Sequence, residues 1–141
     1  MRTPLLATLL AATALAGGCA SDSAARTADR LALYRAHAGP PVSDFPYYRT
    51  FTEWTPLGRD ALAVWLSPTR AYLLDTPDCN DLEWAHGIQI SDTNGRVSAR
   101  FDRVQPLGVG SVPISCRIEQ IRPLDTKAIR DAERMPRAER R

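Results

Sequence analysis

The sequence has little net charge, few cysteines and no long apolar run. Its 141 residues carry a formal net charge of +2, which is too small to suggest steering toward nucleic acid. It contains no GxSxG nucleophile elbow and no CxxC pair, so the usual motifs of a serine hydrolase and a zinc site are missing. Eleven prolines argue against an all-helical bundle. We therefore expect no enzymatic activity, no metal and no cofactor.

The first nineteen residues have the order of a bacterial export signal. Arg2 precedes an uncharged run from Leu5 to Ala16, which is shorter than the roughly 20 residues that span a bilayer. Leu15-Ala16-Gly17-Gly18-Cys19 follows and resembles a lipobox, although Ala16 stands where the usual leucine would be. The sequence thus predicts a signal peptide over 1–18 and lipid on Cys19. The alternative is an ordinary secretory signal with a chance cysteine.

Lipidation at this position would add a diacylglyceryl group to the Cys19 sulfur and an acyl group to its freed amine. Several chains together make a membrane anchor effectively permanent. Ala20 follows the cysteine in place of aspartate, and by resemblance to enterobacterial sorting this favours the outer membrane. We expect a periplasm-facing protein whose membrane contact is a lipid anchor.

The remaining cysteines, Cys79 and Cys116, leave one possible pairing. In an oxidising periplasm an even remainder of two predicts one disulfide. A reduced buried pair and a metal site are the alternatives. Metal is disfavoured because neither His37 nor His86 has ligand spacing to a cysteine.

The mature chain divides by composition into a tether, one domain and a tail. Residues 19–27 are small and polar and predict a flexible tether. Residues 28–125 form a single β-rich domain that opens with a helix over 28–37. Residues 126–141 form a polar C-terminal helix and tail, capped by Asp125 or Thr126 and ended near Pro136.

Within the domain, short apolar segments separated by turns predict strands. Ala61 to Leu66 is a continuous apolar run, typical of a strand covered on both faces, and Ala71 to Asp75 can pair with it. Tyr48 to Trp54 also predicts a strand. Asn94-Gly95 is a strong hairpin signal between two alternating segments, Ile88 to Ser91 and Val97 to Phe101, which predict its two strands.

The last predicted strand has Ile114, Cys116 and Ile118 on its inward face, with a bulge or strand end near Gln120. The sum is an α+β fold, mostly β. We expect a small antiparallel curled sheet or barrel-like roll with an N-terminal and a C-terminal helix.

Several segments of the chain together carry a resemblance to a known family. These segments are Leu31-Ala32-Leu33-Tyr34, Trp54-Thr55-Pro56-Leu57-Gly58, Ala63-Val64-Trp65-Leu66-Ser67-Pro68, Tyr72-Leu73-Leu74, Cys79 with Leu82, Arg96-Val97-Ser98-Ala99-Arg100-Phe101-Asp102, Cys116-Arg117-Ile118 and Ile121-Arg122-Pro123-Leu124-Asp125. Together they resemble a family of small proteobacterial lipoproteins known as domain of unknown function 6491. The resemblance implies secretion, the same cysteine pair and one compact domain, and it supplies no catalytic residues.

Two groups of side chains are candidates for a site. Tyr47, Tyr48, Phe51 and Trp54 could form a stacking surface for a sugar or a peptide, although a strand with one buried aromatic face is the commoner arrangement. The loop from Cys79 to His86 carries several acidic groups and one histidine that could serve as a general base. A solvated acidic loop and a structural or surface histidine are the favoured interpretation of that loop.

Two functional hypotheses follow. The first is a non-catalytic envelope-maintenance or binding module, whose partner is another envelope protein or a cell-wall component. The alternative is a small periplasmic enzyme or enzyme inhibitor with its site around Cys79–His86. An exposed aromatic patch would favour binding, and a cleft joining His86 to Asp78 or Asp81 would favour the enzyme.

Overall fold

The computed structural model describes residues 18–140. Within that range, two α-helices and two short 3₁₀ helices accompany nine strands. The helices are α1 Gly18–Ala36 and α2 Thr126–Arg134, with 3₁₀ turns at Leu82–Trp84 and Arg137–Arg140. The strands are β1 Asp44–Pro46, β2 Glu53–Pro56, β3 Ala61–Ser67, β4 Arg70–Asp75, β5 Gly87–Ile90, β6 Arg96–Ser98, β7 Arg103–Leu107, β8 Cys116–Arg117 and β9 Gln120–Pro123.

A four-stranded antiparallel sheet in the order β2-β3-β4-β9 forms the middle of the molecule. Its strand β3 is buried on both faces, as the apolar run predicts, because its alternate side chains enter two different cores. Leu62 and Val64 belong to one apolar cluster. Ala63 and Trp65 belong to the other. The sheet therefore separates two hydrophobic layers.

The two helices cover one face of this sheet. Tyr34 of α1 and Ile129 of α2 are fully buried in the same cluster as Trp65. The Trp65 ring meets Tyr34 edge to face at 6.4 Å between centroids, and the Arg130 guanidinium lies 4.4 Å from the Trp65 ring centroid. Asp125 accepts a hydrogen bond from the Ala128 amide, so the predicted N-cap of the last helix is confirmed.

Two smaller antiparallel sheets, β1-β6 and β5-β7-β8, cover the opposite face. Phe45 from β1 stacks on Tyr72 of the central sheet at 4.3 Å between ring centroids. Val97, Val104 and Ile118 are fully buried between the layers. The fold is thus α+β with more strand than helix, as predicted, and its sheets do not close into a barrel.

The disulfide between Cys79 and Cys116 is present, as predicted. The two Cα atoms lie 5.6 Å apart, within the usual range for such a bridge. Cys79 belongs to the loop after β4, whereas Cys116 begins β8. The bridge therefore ties a loop of the central sheet to the edge strand of a smaller sheet.

The predicted hairpin at Asn94-Gly95 is half right. Both residues have positive φ, 53° and 73°, as a type I′ turn requires, and a Thr93–Arg96 bridge closes the turn. The flanking strands do not pair with each other, however. Strand β5 pairs with β7, and β6 pairs with β1. Each strand beside the turn therefore has a pairing partner from another part of the chain.

The predicted strand from Val97 to Phe101 also ends early. Arg100 adopts a φ of 70° and Phe101 is exposed. The buried Asp102 side chain accepts hydrogen bonds from the Ser98 amide and the Ser91 hydroxyl. Asp102 turns the chain because its carboxylate satisfies those two donors, which a continuing strand would not bring together.

The strand predicted over Tyr48 to Trp54 is wrong except at its last two residues. Arg49 has a φ of 60°, and strand β2 begins only at Glu53. Ile114, predicted to face inward, is exposed. The chain resumes strand geometry at Cys116, and Gln120 starts β9 in a different sheet, so the predicted strand end lies there.

The predicted flexible tether over 19–27 is helical in the structure, since α1 begins at Gly18. Small residues of good helix propensity and an Asp22–Arg26 ion pair at 3.2 Å explain this difference. Most of the predicted signal peptide, residues 1–17, lies outside the described residues.

Loss of the disulfide should destabilise the domain strongly. Replacing both cysteines, Cys79→Ser with Cys116→Ser, removes the covalent link between the loop after β4 and strand β8, and we expect a loss of about 2–5 kcal/mol in unfolding free energy. Denaturant unfolding measures this value. The reduced wild-type protein should show the same loss, and a double variant as stable as the oxidised wild type would contradict the prediction.

The Asn94-Gly95 turn can be tested separately. Gly95→Val places a β-branched residue at a φ of +73°, which should cost at least about 1 kcal/mol. Gly87→Ala is the matched control, because a Cβ there would make only an ordinary 3.9 Å contact with Leu107 and should change stability by less than about 0.5 kcal/mol. Equal melting temperatures for the two variants would refute the strain argument.

Candidate functional site

Cys19 lies in the first turn of α1 with its side chain exposed. It is the one free cysteine in the part of the chain that the structure describes, because the other two form the disulfide. The sequence prediction of lipid on Cys19 needs an accessible thiol at the start of the mature chain. The position meets that geometric requirement.

The second half of α1 attaches the helix to the domain. The Glu133 carboxylate of α2 accepts hydrogen bonds from the Tyr34 hydroxyl at 3.2 Å and from Arg30 at 3.3 Å. Arg35 lies 3.7 Å from Asp75 of β4. These contacts are spaced along the last two turns of the helix, so the helix axis has a defined direction relative to the sheet.

The first half of α1 makes much looser contact. Its side chains from Cys19 to Arg26 are exposed, and Thr27 is half-buried. A groove of about 480 Å³ lies between this half of the helix and the body of the domain. Its lining residues are Ala20, Ser23, Ala24, Thr27, Pro56, Gly58, Glu83 and Trp84. The groove therefore begins one residue after Cys19.

Trp84 is the large apolar side chain of this groove. It is 68% exposed and ends the 3₁₀ turn Leu82–Trp84, whose Leu82 is fully buried. Burial of Leu82 fixes the turn, and the turn projects the indole outward. The sequence analysis did not single out Trp84, because no pattern in so short a turn shows which of its apolar residues enters the core.

The predicted aromatic surface does not exist as a unit. Tyr47 is buried, whereas Tyr48 is 82% exposed. Phe51 and Trp54 are half-buried and pack against the core cluster. The positive φ of Arg49 separates Tyr48 from the next aromatic residue. Three of the four candidates thus contribute to packing, and Tyr48 alone remains on the surface.

The loop from Cys79 to His86 holds no assembled catalytic group. Cys79 is in the disulfide, and Asp78 is an exposed carboxylate 4.0 Å from Arg59. The exposed His86 packs against Gly108, where an added Cβ would lie 3.1 Å from the imidazole Cγ. Its observed role is therefore to contact the loop that follows β7.

Other ionisable groups serve structural roles. His37 follows α1, and its carbonyl accepts a hydrogen bond from the Asp125 amide. Lys127 pairs with Asp131 at the i,i+4 spacing, and this bond lowers the pKa of the Asp131 carboxyl. A hydrogen bond from Arg96 likewise lowers the pKa of Asp44. Over residues 18–140, no group of His, Cys, Asp and Glu side chains could hold a metal ion.

The chain belongs to a family of unknown function, DUF6491, whose pattern matches residues 1–140. The match confirms the part of the resemblance that concerns this domain of unknown function. No curated protein and no solved structure matches the chain. Among the described residues, no helix is long and apolar enough to cross a membrane.

Attachment of α1 should show a measurable dependence on pH. Burial raises the pKa of the Tyr34 hydroxyl above its ordinary value of 10.0, and the Glu133 carboxylate adds to this effect. The neutral hydroxyl is favoured in the folded protein. The contribution of the neutral Tyr34 hydroxyl to the unfolding free energy is complete below pH 10.0, and it is lost as the pH rises through the folded-state pKa.

Tyr34→Phe should therefore reduce the steepness with which unfolding free energy falls above about pH 10. Part of the dependence should remain, because burial also raises the pKa of Tyr47. Tyr48 is exposed, so Tyr48→Phe is a control variant. Its unfolding free energy should fall with alkaline pH as steeply as that of the wild type. Denaturant unfolding at a series of alkaline pH values measures the slopes, and equal slopes for the Tyr34 variant and the wild type would refute the assignment.

Proposed function

We propose that this protein is an outer-membrane lipoprotein, anchored through Cys19, that acts as a non-catalytic binding or envelope-maintenance module facing the periplasm. The observation that carries the proposal is the position of Cys19. It is exposed in the first turn of α1 and directly follows the Leu15-Ala16-Gly17-Gly18 sequence. An apolar export segment followed by small residues and an accessible cysteine is the arrangement that lipidation requires.

The disulfide supports an extracytoplasmic location. Disulfides persist in oxidising compartments such as the bacterial periplasm and are rare in the cytosol. The Cys79 side chain is fully buried, and Cys116 is nearly so. Such a bridge serves stability and not redox exchange, since a reductant has little access to it.

The attachment of α1 supports a lipid-anchored domain held at a defined orientation. From Cys19 to Tyr34 the helix extends about 22 Å at 1.5 Å per residue. Its far end is held by Tyr34, Arg30 and Arg35. A lipid at Cys19 would therefore be joined to the domain through a helix and not through a loose linker.

The structural state of the two candidate groups favours a binding role over an enzymatic role. The Cys79–His86 loop uses its thiol in the disulfide and its histidine in packing. The exposed Trp84, in contrast, lines the groove beside α1 and is free to contact another molecule. Exposed apolar groups of this kind favour association with another surface. We propose an envelope protein or a cell-wall component as the partner.

Replacement of the anchor residue tests the location. Cys19→Ser removes the sulfur that the lipid requires, so the protein should lose its association with the outer membrane or remain unprocessed. Membrane fractionation with metabolic labelling by palmitate measures both. Ala20→Asp is the matched control: it keeps the lipid, and by resemblance to enterobacterial sorting it should shift the protein to the inner membrane. A Cys19→Ser protein of mature size in the outer membrane would refute the anchor.

A further inference from the structure

Four exposed apolar side chains belong to the two chain segments that adjoin the first residue of strand β5. Trp84 precedes the strand, and Leu107 pairs with Gly87 at its first residue. The loop after Leu107 carries Val112 and Ile114, which are 70% and 60% exposed. We call Trp84, Leu107, Val112 and Ile114 the apolar rim.

The base of the rim is a defined structure. The His86 amide donates a hydrogen bond to the Leu107 carbonyl at 2.9 Å. Gly108 has a φ of +78° and lies against the His86 ring, where a Cβ would be only 3.1 Å from Cγ. At the other end of the loop, Cys116 is held by the disulfide and by pairing with Val104. The loop is therefore fixed at both ends while its apolar side chains point outward.

Trp84, the aromatic member of the rim, lies beside the start of α1. It lines the groove together with Ala20, Ser23 and Ala24, which follow Cys19 in the first two turns of the helix. A lipid on Cys19 would therefore bring the bilayer surface close to Trp84.

We propose that the apolar rim inserts into the surface of the bilayer to which Cys19 is anchored. This inference rests on the proposed lipidation and adds a second contact to it. An indole with neighbouring aliphatic side chains suits the boundary between headgroups and acyl chains, where the ring can be apolar on one side and hydrated on the other. The domain then lies against the membrane on its rim and presents its opposite end to the periplasm.

The charges near the rim indicate whether electrostatic attraction or apolar insertion would hold it at the bilayer. Asp78, Asp81 and Glu83 lie in the segment that precedes it, so attraction to anionic headgroups cannot hold the rim at the bilayer. Insertion of apolar side chains is the remaining source of binding. The contact should therefore persist at high salt, since screening weakens only electrostatic attraction.

Tryptophan fluorescence gives a direct test. The lipidated protein is placed in vesicles of phosphatidylethanolamine and phosphatidylglycerol whose acyl chains carry bromine, which quenches a tryptophan that reaches them. Trp65 is buried and Trp54 is half-buried, so quenched emission should come from Trp84. We expect the wild type to lose this emission, at low and at high salt, and Trp84→Phe to show no corresponding loss.

A matched pair of variants tests the rest of the rim. Val112→Asp with Ile114→Asp should abolish quenching of Trp84, because charges in the loop prevent insertion, while the lipid still holds the protein on the vesicles. Tyr48→Asp is the control. Tyr48 is exposed beside the Asp92–Arg49 ion pair at the opposite end of β5, so this variant should be quenched like the wild type.

The outcomes separate the two proposals. Lipidated protein that floats with the vesicles but keeps its full Trp84 emission would overturn the insertion and leave the anchor standing. If the rim bound another protein in place of lipid, Trp84 would be shielded from bromine, and the insertion proposal would again be overturned. Protein that carries no lipid and stays off the vesicles would overturn both.

Discussion

Burial of strand β3 on both faces is the constraint on which the rest of the structure depends. Its alternate side chains enter two separate cores, so each face of the central sheet needs its own cover. The helices cover one face because Tyr34 and Ile129 bring apolar groups to Trp65. The two small sheets cover the other, where Phe45 stacks on Tyr72. Since a buried polar backbone needs partners, strands and helices are the elements that can supply this cover.

The strands of the small sheets are short, and the disulfide ties one of these sheets to the central sheet. Strand β8 has only two residues, Cys116–Arg117, too few to be stable without further support. The bridge to Cys79 joins it to the loop that leaves the central sheet. Stability of this layer is thereby linked to an oxidising compartment, and the proposed export of the chain and the completion of its fold become parts of one process.

The distribution of exposed groups relates this fold to the proposed anchor. Helix α1 is held at its second half by Glu133 and Asp75, and its first half extends beside Trp84. Lipid on Cys19 and Trp84 of the apolar rim would then act close to each other. Two contacts restrict orientation more than one does, because a single tether leaves the domain free to rotate about its attachment.

Local chemistry in the sequence was sufficient for several elements. The continuous apolar run predicted β3, and the presence of two cysteines besides Cys19 predicted the Cys79–Cys116 bridge. Asp125 predicted the start of α2, and Asn94-Gly95 predicted a turn with positive φ. Tertiary structure alone decided which strands pair across that turn and which aromatic residues stay exposed. Tyr47 enters the core and Trp84 does not. Strand pairing and side-chain exposure depend on contacts between residues far apart in the chain, and the local sequence does not specify those contacts.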